Sequence, residues 1–213
     1  MSVQSRNTAP QKRRNQAERS AATREALLNA TLECLVEDGY ANTTTARVAE
    51  RAGLSRGAHL HHFQTRDTLL AAAAGHLTQR RGEVLSRAVE ALPPSGPDRV
   101  ARGLDLVFES YNHPLYQATL DLWSNARTDD ELRAHLIPIE RQLDRQTIEL
   151  SRKLFPDAAE RPDFERLVEL ALAAIRGLAV LDTLHADDDG ARAERQWPAC
   201  RDQLAALFES ASA

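Results

Sequence analysis

Residues Thr43–Phe63 read TTTARVAERAGLSRGAHLHHF, and this stretch decides the fold because it holds two short helical patterns separated by one glycine. In the first pattern, which covers Thr45 to Ala52, apolar residues including Val48 fall on one face and charged residues on the other. Gly53 follows at the position where the end of a helix favours a left-handed residue. The stretch therefore predicts a short amphipathic helix that ends in a tight turn.

A second helix is expected after the turn, following a serine that can cap it. Two short helices joined in this way form a helix-turn-helix, whose second helix enters the major groove of DNA. Arg56 can make bidentate hydrogen bonds to guanine, and Ala58 can contact a thymine methyl. Gly57 has no side chain to hold the backbone away from the duplex. Thr44 and Thr45 can cap the first helix and also bind phosphate through their hydroxyls.

The same stretch allows two other interpretations. His59, His61 and His62 could suggest a metal site, but neighbouring helical residues point about 100° apart, and no carboxylate or cysteine completes the set. We therefore expect neither a metal nor a cofactor. Gly53–Gly57 also matches G-x-S-x-G, the nucleophile motif of α/β-hydrolases. That motif needs a buried strand before the serine, whereas a charged amphipathic pattern precedes Gly53, so a serine hydrolase is a remote alternative.

The sequence resembles the N-terminal domain of the TetR family of transcriptional regulators over about residues 23–77. The family pattern is A-x-x-A-G-[VL]-S-[KR]-G-x-x-x-x-H-F, followed by a basic residue and a long helix. The matching residues are Ala49, Ala52, Gly53, Leu54, Ser55, Arg56, Gly57, His62 and Phe63, then Arg66 and Asp67. Leu60 departs from the pattern, because tyrosine is usual at its position.

The resemblance implies a homodimer that binds a palindromic operator in double-stranded DNA and responds to an unidentified small-molecule effector, most often as a repressor. It places His61 and His62 at the DNA backbone or the groove edge, and Arg66 on a phosphate. An architectural DNA-binding protein without an effector is the alternative from a different class.

The composition favours helices. Of 213 residues only 5% are aromatic, and Ala, Leu, Arg and Glu are abundant. We expect an all-α protein of about nine helices, in which a linking helix joins a three-helix DNA-binding domain to a helical ligand-binding and dimerisation domain. The net charge is −4, divided into +3 for residues 1–67 and −7 for residues 68–213. The basic half is the one that carries the helix-turn-helix.

Three segments are expected along the chain. Residues 1–18, which include Arg6, Lys12, Arg13 and Arg14, are predicted to form a disordered basic arm. Residues 19–66 are predicted to form the DNA-binding domain, with a first helix from about Arg19 to a stop at Gly39. Residues 67–213 are predicted to form the effector-binding and dimerisation domain. A proline-rich break at residues 93–97 ends the linking helix.

Several features point to a cytoplasmic protein that does not contact a membrane. No apolar run is long enough to span a bilayer, and the N-terminus lacks the apolar segment of a signal peptide. Cys34 and Cys200 lack the spacing of a zinc or redox site, so both are expected to be buried, reduced thiols.

Aromatic residues are scarce in the chain and cluster between residues 108 and 123. In TetR-like proteins the corresponding helices enclose the effector, so the resemblance implies a pocket there. The alternative for any single one of these residues is an ordinary core position. The expected lining is Phe108, Tyr111, His113, Tyr116, Leu120, Trp123, Arg127 and Phe155, with His135 as a further polar contact.

Residues 167–181 are apolar nearly all round, which indicates a helix that lies either inside a large domain or between two subunits. In the TetR family the last two long helices form the dimer interface, so the resemblance favours the second position. The expected interface residues are Leu167, Ala171, Ala174, Ile175, Leu178, Leu181, Trp197 and Leu204.

Overall fold

The computed structural model describes the backbone of residues 9–183 and 192–210, without the side chains of residues 9–15, 56, 58, 59, 97, 182, 183 and 192. This part of the chain forms nine α-helices and no strand, which confirms the all-α expectation. The helices are α1 (Ala9–Asn42), α2 (Thr45–Arg51), α3 (Arg56–His62), α4 (Arg66–Glu90), α5 (Pro97–Tyr111), α6 (Pro114–Ala126), α7 (Asp130–Leu154), α8 (Phe164–Thr183) and α9 (Arg192–Glu209).

The first helix is longer than the sequence analysis predicts. It begins at Ala9 rather than near Arg19, so residues 9–18 of the expected disordered arm are helical. Residues 1–8 of that arm lie outside the described residues. The physical reason is composition: Gln, Lys, Arg, Ala and Glu all have high helix propensity, and they extend the helix ahead of its apolar stripe.

Glycines with positive φ interrupt the N-terminal helices at two places. Gly39 (φ 73°) breaks α1 near its end, as expected, and Gly53 (φ 67°) forms the turn between α2 and α3. A side chain would be strained in this left-handed conformation, whereas glycine adopts it readily. The chain can therefore turn sharply at both positions, so that α2 packs against α1 and α3 packs against α2.

The N-terminal helices share a hydrophobic core with two later ones. Buried residues of α1, α2 and the start of α4 pack with Leu122 of α6 and with Leu132 and Leu136 of α7. A boundary after Arg66 therefore separates the DNA-binding elements from the rest by role, but the packing is continuous across it. A second core joins α5, α8, α9 and the end of α7.

The structure divides the expected dimer-interface residues between two environments. The apolar character of α8 has two causes, because one face packs inside the subunit and another faces outward. Five of the expected residues lie in the second core of the same subunit and are at most 9% exposed: Leu167, Ala171, Ile175, Trp197 and Leu204. Ala174 and Leu178 are half-buried, and Leu181 is exposed. The outward face also carries Leu170, which is 51% exposed.

No helix in the described part of the chain combines the length and the apolar character that crossing a bilayer requires.

Candidate functional site

The helix-turn-helix is built from local hydrogen bonds that the sequence specifies. Thr44 caps α2, and its hydroxyl oxygen accepts a hydrogen bond from the backbone N–H of Arg47 at 3.3 Å. At the other end, the N–H of Leu54 donates to the carbonyl of Ala49 at 2.9 Å. This bond closes the turn around Gly53 and sets the direction in which α3 begins.

The outer surface of α3 is the candidate DNA-reading surface. Gly57, Leu60 and His61 are exposed, and His62 is half-buried. The backbone of α3 places Arg56 and Ala58 on the same short helix, while their side chains lie outside the described residues. Leu60 is 61% exposed and was not included among the expected contacts. An exposed apolar side chain on a reading helix can contact thymine methyls, and its departure from the family's tyrosine was the available signal.

The two histidines of this surface differ in environment. Their rings meet edge to face with centroids 5.4 Å apart. Burial lowers the pKa of His62, and His61 and Arg24 lower it further. His62 therefore favours the neutral form at physiological pH, in which it can offer a single N–H to a phosphate. Among the described side chains, no group of three potential ligands could hold a metal.

Ion pairs fasten α2 to α1. Arg51 pairs with Glu37 at 2.6 Å, and Arg47 pairs with Asp38 at 3.2 Å. Both arginines are therefore partly neutralised by acids of the neighbouring helix. Their position behind the turn supports the orientation of α2, although exposed ion pairs of this kind contribute little individually.

Arg66 also makes contacts within the protein that the sequence does not predict. Its Nε donates to the carbonyl of Thr43 at 2.7 Å, and a second guanidinium nitrogen donates to the carbonyl of Tyr40. The half-buried guanidinium thus holds the segment that leads into the Thr44 cap. These two bonds give Arg66 a positioning role within the protein, and the expected phosphate contact of the same side chain stays a prediction.

A cavity of about 470 Å³ lies between α1, α4, α5 and α6. Most of its wall is apolar. The lining residues are Leu32, Leu77, Arg80, Arg81, Val84, Leu85, Ala88, Leu106, Glu109, Ser110, His113, Leu115 and Tyr116. The volume falls within the range of small-molecule sites in proteins, about 300–1,000 Å³.

Only part of the expected pocket lines this cavity, namely His113 and Tyr116. Tyr111 borders a neighbouring cavity of about 60 Å³. The others lie elsewhere. Phe108 stacks on Trp197, and Phe155 packs on Phe208. Leu120 and Trp123 are partly buried against the core, and Arg127 is the exposed C-cap residue of α6. His135 is also absent from this wall. Phe108 and Phe155 therefore belong to the core, whereas Tyr116 lines the cavity.

Helix α4 forms part of the cavity wall, whereas the sequence predicts it only as a link between domains. Leu77, Arg81 and Leu85 recur every four residues and therefore share one face, which turns toward the cavity. Arg81 interrupts the apolar spacing of this face. A charged residue on an otherwise apolar stripe was the signal that could have located the cavity.

The G-x-S-x-G match lies in the turn between α2 and α3, and a helix rather than a strand precedes Gly53. The serine therefore does not stand at a strand end, as a hydrolase nucleophile does.

Comparisons with known proteins agree with this architecture. Residues 27–73 match the family model "Bacterial regulatory proteins, tetR family". The chain is 31% identical over 173 residues to an uncharacterized HTH-type transcriptional regulator of Mycobacterium tuberculosis, which covers 79% of this chain and 86% of the relative. It is 33% identical over 178 residues to the HTH-type transcriptional regulator CymR of Pseudomonas putida, with 79% and 83% covered.

A crystal structure of a regulator from Streptomyces coelicolor A3(2) has a similar fold, with a TM-score of 0.64 and 23% identity, covering 89% of this chain and 99% of that one. Some relatives are named transcriptional repressors. The chain is therefore a transcriptional regulator rather than an enzyme, and it belongs to the TetR family.

Proposed function

We propose that the protein is a ligand-responsive repressor, acting in the cytoplasm, that binds a palindromic operator as a homodimer. The observation that carries the proposal is the path of α4. This helix begins at Thr65 and Arg66, beside the helix-turn-helix, and it forms one wall of the 470 Å³ cavity further along. A ligand that shifts α4 relative to α5 and α6 would also move the reading helix.

Two features of the structure support this coupling. Arg66 holds the carbonyls that precede the Thr44 cap, so a movement at the start of α4 is passed to α2. Leu32 of α1 also lines the cavity, which gives a ligand direct contact with the N-terminal helices. The ligand can shift the DNA-binding state only by its difference in affinity between the two states, and a coupling of about 1–3 kcal/mol is usual.

The outward face of α8 is the surface we assign to the dimer. Leu170, Ala173, Ala174, Gly177 and Leu181 follow helical spacing along it. A Cβ added at Gly177 would meet nothing within 4 Å, so the small residue there serves no packing within the subunit. Small residues let a second helix approach closely. A dimer would hold two reading helices about 34 Å apart, which matches successive major grooves.

The direct test is to recover genomic DNA fragments with the full-length protein and sequence them. A repressor dimer predicts palindromic sites with half-sites about one helical turn apart. Deleting the gene should raise transcription from promoters that carry these sites. Asymmetric sites would contradict the dimer, and lower transcription would identify an activator.

The effector-free alternative is tested with a filled cavity. Ala88→Trp should leave operator binding intact and prevent release of a reporter promoter under conditions that release it with the wild type. Ala134→Trp, at an exposed position of α7, is the matched control. For an architectural protein, the wild type, Ala88→Trp and Ala134→Trp would all occupy the operator to the same extent under every condition.

A further inference from the structure

Two arginines and two tyrosines from four different helices meet beside the cavity. They are Arg81 of α4, Tyr111 of α5, Tyr116 of α6 and Arg176 of α8. Both guanidinium groups donate to the hydroxyl of Tyr111, each at 3.3 Å. The rings of Tyr111 and Tyr116 meet edge to face with centroids 4.5 Å apart. We name these four residues the Arg-Tyr cluster.

The aromatic faces of the Arg-Tyr cluster are already covered by cations. The Arg81 guanidinium carbon lies 4.3 Å from the Tyr111 ring centroid and 5.6 Å from that of Tyr116. Arg176 lies 5.6 Å from the Tyr111 ring. A cationic ligand would therefore find these ring faces taken and would meet two like charges.

Two polar atoms of the cluster remain unpaired. The hydroxyl of Tyr116 and Nε of Arg176 are buried and have no hydrogen-bond partner within residues 9–183 and 192–210. Tyr116 as a whole is only 2% exposed. Buried polar groups in proteins are nearly always paired, so an unpaired donor beside a cavity is a place where a ligand atom can complete the bonding.

The positive charge of the cluster also lacks a direct partner. Among the described side chains, no carboxylate oxygen lies within 4 Å of the guanidinium nitrogens of Arg81 or Arg176. Glu140 of α7 influences both arginines without pairing with either, and burial raises the pKa of this carboxyl although Arg176 and Arg81 oppose the shift. Two partly buried cations without a close anion are costly, and a bound anion would offset that cost.

Two residues of the Arg-Tyr cluster belong to the wall of the apolar cavity. Arg81 and Tyr116 both line it, and most of the remaining wall is aliphatic. A molecule that fills this space would therefore place an apolar body against Leu77, Leu85 and Leu106 and a polar group against Arg81 and Tyr116. The cations Arg80 and Arg81 outnumber the one lining acid, Glu109, and together with the unpaired Tyr116 hydroxyl they favour an anionic acceptor.

We propose that the effector is a small monocarboxylic acid with an apolar body, whose carboxylate accepts hydrogen bonds from Tyr116 and Arg81 while Arg176 contributes the second positive charge. The inference rests on the proposed function, because it names the chemical class of its effector. Binding would neutralise the charge of Arg81 on α4, and the start of α4 lies beside the helix-turn-helix.

The test measures binding of three carboxylates, 4-phenylbutanoate, 1-naphthoate and octanoate, to the full-length dimer by titration calorimetry. Each acid is compared with the primary amide of the same skeleton. At least one acid should bind at or below millimolar concentration, and its amide should bind at least about tenfold more weakly, because the charged hydrogen bonds are lost. Amides that bind as tightly as their acids, or no binding by any acid, would overturn the inference.

Tyr116→Phe is the decisive variant because it removes only the unpaired hydroxyl. The free protein should be as stable as the wild type or more so, while affinity for the acid should fall about tenfold. Tyr40→Phe, far from the cavity, is the matched control and should bind the acid normally. Unchanged affinity in Tyr116→Phe would show that the hydroxyl does not contact the carboxylate and would overturn the assignment.

Operator release separates this inference from the proposed function. If an acid binds and its amide does not, yet the operator stays bound at saturation, the anion site stands and the ligand-responsive function fails. If a neutral or cationic compound releases the operator through the same cavity, the regulatory function stands and the carboxylate inference fails.

Discussion

Arg66 contacts Tyr40 in two ways. Its guanidinium donates a hydrogen bond to the backbone carbonyl of Tyr40, and the guanidinium carbon lies 4.2 Å from the centroid of the Tyr40 ring. The same guanidinium donates to the carbonyl of Thr43. One side chain at the first position of α4 therefore fixes the whole passage from α1 into α2. The planar fork of arginine suits this geometry, since the ammonium of lysine is a single point of charge.

The first prediction concerns Arg66→Lys. If Arg66 positions the helix-turn-helix, lysine should lower the free energy of unfolding by about 2 kcal/mol, nearly as much as alanine, because it cannot serve both carbonyls and cover the ring. Urea unfolding measures the effect, and Arg87→Lys on the exposed part of α4 is the control. If the lysine variant has wild-type stability and loses only DNA affinity, Arg66 acts as a phosphate contact and not as a positioning residue.

The second prediction concerns Gly57→Ala on the reading helix. A Cβ at Gly57 would meet nothing within 4 Å, so nothing in the fold requires a glycine there. Alanine should stabilise the free protein by about 0.5 kcal/mol. If the helix backbone lies against the duplex, operator affinity should nevertheless fall about tenfold, or about 1.4 kcal/mol.

Gly82→Ala is the matched control, because Gly82 also lies within a helix and has open space around its Cα. It should stabilise the protein without weakening DNA binding, as fluorescence anisotropy can show. Full operator affinity in Gly57→Ala would mean that α3 does not approach the bases closely at this position.

The third prediction concerns His76, which joins α4 to α1. Its Nε2 lies 3.0 Å from Oδ1 of Asn29, an acceptor, so the ring must donate from Nε2. Burial lowers the pKa of His76, and Arg80 lowers it further. The imidazole of His76 therefore takes up its second ring proton more readily in the unfolded chain than in the folded protein. The resulting stability is fully present above about pH 6.5 and is lost as pH falls toward the lowered pKa.

Urea unfolding between about pH 5 and pH 8 should show this loss in the wild type and a smaller one in His76→Gln. The difference between the two profiles isolates His76, because other groups titrate in both chains. His61→Gln, at an exposed position, should follow the wild type. A His76→Gln profile parallel to that of the wild type would contradict the assignment.

The helix-turn-helix could be predicted closely from sequence because its determinants are local. Thr44 specifies a cap through its side chain and Gly53 a turn through its backbone, and the structure places both as expected. The cavity could not be predicted in this way. Its walls come from helices far apart in sequence, and whether Tyr116 or Phe108 faces it depends on how those helices rotate.

Helix α8 shows the same limit. Its periodicity is nearly uniform, so the sequence could not say which apolar face meets the subunit's own core. Ile175 proved to be fully buried there, while Leu170, five residues earlier, faces outward. The pattern left open whether α8 lies inside a domain or between subunits, and only packing could show that one of its faces meets the subunit's own core.

The fourth prediction uses this contrast to test the dimer. Leu170→Glu should leave the subunit folded, with its free energy of unfolding changed by about 0.5 kcal/mol or less, because the side chain is exposed in the monomer. The charge should nevertheless prevent a second α8 from packing on that face. Ultracentrifugation should therefore show a folded monomer, and operator affinity should collapse because a single reading head meets only one half-site.

Two further variants separate this outcome from general disruption. Ile175→Glu should unfold the subunit, since it buries an unpaired charge at a cost of about 4 kcal/mol or more. Ile137→Glu, at an exposed position of α7, should change neither folding nor mass. If Leu170→Glu remains dimeric with full operator affinity, the outward face of α8 is not the interface. The two reading heads would then have to be joined through another surface.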